Sequence, residues 1–111
     1  MNTLRNKVQL IGNLGNDPEI INLESGKTLA KFTIATNESY KNAQGEKVTD
    51  TQWHNIVAWG KTAEIVEKYL TKGKEVAVEG KLTTRSYDTK EGEKRYITEV
   101  VCNELLMLGK A

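Results

Sequence analysis

Two tryptophans share one face of a short segment whose alternation is typical of a β-strand. In QWHNIVAW, odd-numbered positions place Trp53, Asn55 and Trp59 on one side, while even-numbered positions place His54 and Ile56 on the other. Burial statistics favour indoles that point into a core. Against this, the polar Asn55 between them and the narrow interior of a small barrel favour an outer aromatic platform. From these residues alone, both interpretations stay open.

Two tyrosines are also predicted to be exposed, each beside basic residues. Tyr40 precedes a polar segment that contains Lys41 and Lys47, and Tyr87 lies close to Arg85 beside another polar turn. Exposed aromatics among lysines and arginines are suited to single-stranded nucleic acid, because bases offer π faces for stacking and phosphates offer charge. The alternative is that each tyrosine is incidental and that the lysines are only solvated.

The residue types that carry catalysis are not arranged for it. The single histidine, His54, has no serine, cysteine or aspartate near it in a recognisable nucleophile motif, and the acidic residues are scattered. GNLGND lacks the Lys-Ser/Thr ending of a triphosphate-binding loop. The lone Cys102 together with one histidine cannot supply the ligands of a zinc site. We therefore expect no enzyme activity, no cofactor and no metal.

Length and composition predict a single domain over residues 1–111. The chain is 38% hydrophobic and 28% charged, which allows a modest core. Its net charge of +1 does not by itself indicate nucleic acid, so an anionic ligand has to meet a local basic patch. The sequence contains neither a signal-peptide segment nor an apolar run of membrane-spanning length. We therefore expect a soluble cytoplasmic protein with no membrane partner.

Hydrophobic periodicity predicts an all-β domain with one short helix. Period-2 alternation predicts five strands, at residues 7–14, 29–36, 52–59, 75–87 and 95–103. Between the third and fourth strands the period becomes helical, with Thr62 as the expected N-cap and Gly73 as the terminating residue. Residues 15–27 are predicted as turns and residues 40–50 as an exposed hairpin loop. This order favours the OB-fold, a five-stranded Greek-key barrel, over another small barrel.

Five sequence blocks cover nearly the whole chain: NKVQLIGNLGNDPE, FTIATNESY, QWHNIVAWGKTAEIVEKYLTKG, VEGKLTTRSY and RYITEVV. Together, and in this order, they resemble the bacterial single-stranded-DNA-binding proteins, abbreviated SSB. Blocks in a fixed order are far more specific than any single motif. The resemblance implies a non-enzymatic OB-fold protein that binds and protects single-stranded DNA, largely independently of sequence, in replication, recombination and repair.

The resemblance also assigns roles to individual positions. Asn55 and Trp59 depart from the family pattern, since a basic residue and a phenylalanine are common there, and tryptophan is frequent where this chain has tyrosines. Arg5 adds a charge near the first strand. The family's positions for base stacking fall on Tyr40, Trp53, Trp59 and Tyr87, and its positions for backbone contact fall on Lys61, Lys72 and Arg85.

The expected assembly is a homotetramer. This expectation follows from the resemblance and from apolar residues, such as Leu10, Val100 and Val101, that a small barrel would struggle to bury alone. Family members usually continue into a linker and an acidic tip that recruits other proteins, whereas this sequence stops at LLMLGKA. We therefore expect no tail-mediated recruitment of replication or repair enzymes.

Two other classes of protein compete with this interpretation. An OB-fold accessory protein could use the same aromatics to contact other proteins. A cold-shock-like RNA chaperone is disfavoured, because the aromatic positions match the SSB blocks rather than the closely spaced aromatic motifs of RNA-binding sheets.

Overall fold

The computed structural model describes residues 3–108. This part of the chain forms six strands, one α-helix and one 3-10 turn. In chain order, the elements are the 3-10 turn Thr3–Asn6, β1 Val8–Leu14, β2 Glu19–Asn22, β3 Thr28–Lys41, β4 Lys47–Trp59, α1 Gly60–Tyr69, β5 Glu75–Asp88 and β6 Lys94–Met107.

Five of these strands close into a barrel, which confirms the predicted OB-fold. The neighbours run β1, β5, β6, β4 and β3, and β3 returns to β1 through the pairs of Asn13 with Ala35 and Leu14 with Ile34. All of these pairings are antiparallel except the one between β4 and β6, where Ile56 lies beside Val100. Closure leaves few free strand edges in so small a sheet.

The core lies inside the barrel and follows the predicted alternation. On β3 the inward positions Phe32 and Ile34 are buried, and on β4 Ile56 and Ala58 are fully buried. Helix α1 adds Val66, which is also fully buried, against this core. Apolar side chains on alternate strand positions therefore fill the interior and leave the other set of positions facing outward.

The segment between the first two predicted strands contains a strand that the sequence did not reveal. Residues 15–27 were expected to form turns, but Glu19–Asn22 forms β2 and pairs with the first residues of β3. Only Ile20 and Ile21 are apolar in this strand, so it is too short for its alternation to be distinguished from a loop. The predicted hairpin loop also shrinks to residues 42–46, because β3 and β4 extend as a long arm.

The helix starts and ends earlier than predicted. It begins at Gly60, and its N-cap is Trp59, an extended residue whose side chain makes no capping hydrogen bond. Thr62 therefore lies inside the first turn and is not the cap. The helix ends at Tyr69, and Gly73 instead adopts a left-handed φ of 93° in the turn that leads to β5.

Candidate nucleic-acid interface

The tryptophans of β4 point outward, away from the core. Trp53 is 62% exposed and Trp59 is 43% exposed, whereas the intervening Ala58 and Ile56 are fully buried. Val57 shares the outer face and is covered. The sequence left open whether the indoles belong to the core or to an outer platform, and the structure places them on the outside. We call the outer surface of β3, β4 and β5 around Trp53, Trp59, Lys31, Arg85 and Tyr87 the platform face.

Two open grooves cross the platform face. One, of about 270 Å³, is lined by residues that include Asn55 and Thr33, and the other, of about 310 Å³, includes Trp59. The grooves are adjacent because Lys31, Arg85 and Glu99 line both. An extended polymer can follow such a continuous depression, which exposes aromatic surface beside basic groups.

Arg85 does not bring a free charge to this surface. Its Nε donates to Oε1 of Glu99 at 3.0 Å, and its Nη2 donates to Oε2 at 3.4 Å. Glu99 is 7% exposed and is the buried charged residue of the described core. The hydrogen bonds and the charge of this carboxylate raise the pKa of the Arg85 guanidinium further. The predicted backbone contact therefore lies within a fork-shaped ion pair.

Strand register separates the two tyrosines. Tyr87 lies at the same parity as Arg85 and is 46% exposed, so it belongs to the platform face. Tyr40 is 51% exposed and pairs with Val48. It has the same parity as Ile34, which lies earlier on β3 and points into the core. Tyr40 therefore projects from the opposite side of the β3–β4 arm. The structure brings three of the four predicted stacking residues to one face.

The predicted basic residues are spread along the surface rather than gathered at one point. Lys61 lies in the first turn of α1, two residues after Trp59, and is exposed. Lys72 is exposed in the turn after α1, where its backbone N–H donates to Oδ1 of Asp17 at 2.8 Å. Arg5 lies in the 3-10 turn and lines a separate groove of about 280 Å³ with Lys7 and other polar residues.

The chain matches the Single-strand binding protein family over residues 5–108. It is 52% identical over 105 residues to single-stranded DNA-binding protein 1 of Chlorobaculum tepidum, with 94% of this chain and 65% of that protein covered. It is 45% identical to single-stranded DNA-binding protein 1 of Xylella fastidiosa, with 95% of this chain and 78% of that protein covered. This chain belongs to the single-strand binding protein family. The matched region spans less than two thirds of the length of the Chlorobaculum relative.

Solved structures of the family share the fold. A Plasmodium falciparum SSB in complex with single-stranded DNA superimposes with a TM-score of 0.84 at 36% identity, covering 94% of this chain and 95% of that one. A deletion mutant of the single-stranded DNA-binding protein of Thermus aquaticus gives a TM-score of 0.80 at 26% identity, covering 94% and 50%. The family is one of binding proteins, in agreement with the sequence-based expectation that the chain is not an enzyme.

Lys31 is a candidate for backbone contact that was not predicted from the sequence. It pairs with Val57 on the outer side of β3, lines both grooves, and forms no salt bridge within residues 3–108. The alternation of β3 already placed Lys31 outward. Its proximity to Arg85 and Glu99 depends on β5 and β6 arriving from distant parts of the chain, which the local pattern could not reveal.

Other polar residues in the described chain have structural partners. His54 lies on the inner side of β4 and shares a hydrogen bond of 3.0 Å between its Nε2 and Oγ1 of Thr36. Cys102 is buried, and its Sγ donates to the carbonyl of Glu104. Within residues 3–108, no group of three His, Cys, Asp or Glu side chains could hold a metal ion. The helix found in this range is too short to cross a membrane.

Proposed function

We propose that this chain binds single-stranded DNA, largely independently of sequence, and protects it during replication, recombination and repair. Bases stack on Trp53, Trp59 and Tyr87, and Tyr40 extends the path around the β3–β4 arm. Lys31, Lys61, Lys72 and Arg5 supply charge for the backbone, and Arg85, whose charge is paired with Glu99, contacts it as a hydrogen-bond donor. The observation that carries this proposal is the exposure of both indoles on one face of β4 while the alternating positions fill the core. Known relatives, one of them solved with single-stranded DNA, support the choice of ligand.

The chemistry of the platform face favours single strands over duplexes. Each unpaired base offers a π face, and stacking on an aromatic side chain contributes about 1–3 kcal/mol per base. Bases in a duplex are already stacked on one another and cannot reach the indoles. The net charge of +1 also leaves little general attraction for duplex DNA. Binding therefore depends on local basic groups along the strand path.

The two tryptophans provide the test. Because they are the only tryptophans of the chain, titration with oligo-dT should strongly quench its intrinsic emission, while duplex DNA of equal length should not. RNA of the same length serves as a second comparison. Equal quenching by duplex and single-stranded DNA would contradict the proposal, as would the absence of any binding to oligo-dT.

We further propose that the chain acts as a homotetramer. Support comes from the outer side of β1, β5 and β6, where Ile11 pairs with Ala77 and Ala77 pairs with Leu106. Ile11 is 60% exposed and Leu106 is 63% exposed, so three adjacent strands present an uncovered apolar row. We call this surface, with the adjoining groove of about 460 Å³, the apolar face. Light scattering coupled to chromatography should give four copies, and a monomer would contradict the assembly.

A further inference from the structure

The loop that follows β1 is fixed to the platform face by backbone and side-chain hydrogen bonds. Gly15 N–H donates to the carbonyl of Thr33 at 3.0 Å. Oδ1 of Asn16 accepts from Thr33 N–H at 3.0 Å and from the Thr33 hydroxyl at 2.8 Å. Thr33 lies opposite Asn55, between the positions of the two tryptophans along β4. The loop is therefore attached to the sheet directly beside the aromatic surface.

The Trp53 ring packs directly against the backbone of Gly15. A Cβ atom placed on Gly15 would overlap Cζ3 of Trp53 and would lie 3.0 Å from Cη2. These atoms are at the far edge of the indole, so the glycine backbone and the ring are in close contact. Because Trp53 is otherwise 62% exposed, few other contacts define its tilt. At Gly12 and Gly80, by contrast, a Cβ would meet backbone atoms and would disturb the barrel itself.

The same loop fixes the turn that carries Lys72. Oδ1 of Asp17 accepts the backbone N–H of Lys72 at 2.8 Å. Next to it, Gly73 N–H donates to the carbonyl of Leu14 at 2.9 Å. The Asn13 side chain donates to the Gly73 carbonyl at 3.1 Å. The turn after α1 is therefore attached to the end of β1 at several points, of which Asp17 is the only carboxylate acceptor among those described.

We propose that residues 15–17 are a positioning loop for the DNA interface: Gly15 sets the orientation of the Trp53 indole, and Asp17 sets the position of Lys72. This inference rests on the proposed function. It means that a stacking residue and a phosphate-contacting residue, which lie on separate elements, share one support. Gly15 and Asp17 are positioning residues, since each acts through a neighbour.

A double-mutant cycle tests the role of Gly15. G15A should weaken oligo-dT binding by about fivefold, part of the loss expected when a base stack is removed. Phenylalanine lacks the second ring whose far edge meets the new methyl group, so in a W53F background G15A should change affinity less than about twofold. In a W59F background, where Trp53 is the only tryptophan, G15A should shift the emission maximum of the free protein.

The cycle separates positioning from folding. Thermal melts of G15A and G15A/W53F should lie close to those of their parents, because the nearest atoms to the new methyl group belong to the side chains of Trp53 and Thr33 rather than to the backbone. Unfolding of G15A in both backgrounds would overturn the inference, as would equal losses of affinity in both. If W53A bound oligo-dT as tightly as the parent, Trp53 would not stack on bases. That result would contradict the proposed stacking function, and the positioning role of Gly15 depends on it.

A matched pair of variants tests Asp17. D17A and D17N both remove one negative charge, but only asparagine retains an oxygen that can accept the Lys72 N–H. The salt dependence of oligo-dT binding, as the slope of log K against log[salt], should be shallower for D17A than for D17N by about 0.7, the value for one phosphate contact on a single strand. The quenching amplitude should be the same for both.

K72A is the control that distinguishes the two possible failures. If K72A lowers the slope but D17A and D17N have equal slopes, Lys72 contacts DNA without needing Asp17, and the positioning role is wrong. If K72A leaves the slope unchanged, the proposed phosphate contact itself is wrong and no positioning of it remains. A D17A slope that matches K72A, together with a D17N slope that matches the parent, supports the inference.

Discussion

Two faces of this barrel expose large apolar side chains, and they differ in the charges beside them. On the platform face, the exposed indole of Trp59 adjoins Lys31 and Arg85. On the apolar face, Ile11 and Leu106 adjoin Glu79 and Glu104. Exposure alone would assign both faces to the same kind of ligand. Aromatic rings with nearby cations fit an anionic polymer with stackable bases, whereas aliphatic side chains with carboxylates fit another protein surface.

The apolar face carries carboxylates that disfavour the binding of an anion. Glu79 accepts a hydrogen bond from Nε2 of Gln9 at 3.1 Å and lies 3.5 Å from Nζ of Lys7. The Gln9 hydrogen bond, followed by the charge of Lys7, lowers the pKa of the Glu79 carboxyl group. Glu79 therefore stays ionised, and Glu104 pairs with it across β5 and β6. A phosphate backbone would be repelled here, while a second copy could bury the apolar row.

The largest expected effect is on assembly. I11E/L106E places two further carboxylates in the apolar row, so burial of this face would leave unpaired charges in an interface. We expect light scattering to show a smaller assembly at micromolar subunit concentration. I65E is the matched control, because Ile65 is also exposed, at 42%, but lies on α1. A tetramer for I11E/L106E, or dissociation of I65E alone, would remove the distinction between the faces.

Next in size is the loss of base stacking on the platform face. W53A and W59A should each weaken oligo-dT binding by about 1–3 kcal/mol for each base that loses its partner. The salt slope should stay near that of the parent, because no phosphate contact is removed. Both variants should melt near the parent temperature, since the indoles are exposed. Parent-like binding by both folded variants would refute the stacking role.

Residues whose role depends on local alternation could be predicted from the sequence. The outward direction of Trp53 and Trp59 follows from the parity of β4, although only the structure decided which parity faces the core. The OB-fold order followed from strand patterns and from one change of period. The family resemblance assigned Tyr40 a stacking role together with the tryptophans, but its parity along β3 places its side chain on the opposite side of the arm.

Features that depend on long-range contacts could not be predicted in this way. Arg85 and Glu99 meet because β5 and β6 pair over a hairpin, and no local motif marks that ion pair. Gly15 lies in a segment that was predicted only as turns. Its lack of a side chain is required because the Trp53 ring, from another strand, packs against its backbone. The helix start at Gly60 likewise overrode the capping preference of Thr62, because β4 feeds directly into α1.

A smaller effect should follow from neutralising Glu99. E99Q keeps an acceptor for Arg85 but leaves its positive charge uncompensated beside the grooves. We expect oligo-dT to bind a few-fold more tightly at low salt, with a slope steeper by about 0.7. E79Q is the matched control on the apolar face, since it also removes a carboxylate paired to a basic residue. It should leave the slope unchanged.

Weaker binding by E99Q without a steeper slope would mean that Glu99 supports Arg85 only structurally. Equal steepening by E79Q would mean that net charge, rather than the position of the charge on the platform face, controls binding. Melting temperatures of both variants show whether the loss of either ion pair disturbs the barrel.

The smallest expected effect belongs to the core between the two faces, and it is a dependence of stability on pH. Burial raises the pKa of the Cys102 thiol from its ordinary value of 9.0 to about 11. A raised folded-state pKa stabilises the protein below the unfolded value, and this contribution is lost as pH rises from about 9 towards about 11. Between pH 7 and pH 9 the thiol should therefore lower the free energy of unfolding by less than about 1 kcal/mol.

C102A isolates this contribution, because all other ionisable groups are common to both proteins. Chemical unfolding at a fixed subunit concentration should show the stability of the parent falling relative to C102A between pH 7 and pH 9. The same difference should be found in the W53A and I11E/L106E backgrounds, since Cys102 is covered by its own chain. A difference that disappears in I11E/L106E would show that assembly, rather than the barrel, shields the thiol. Burial of Cys102 would then depend on contacts that the apolar face makes with other subunits.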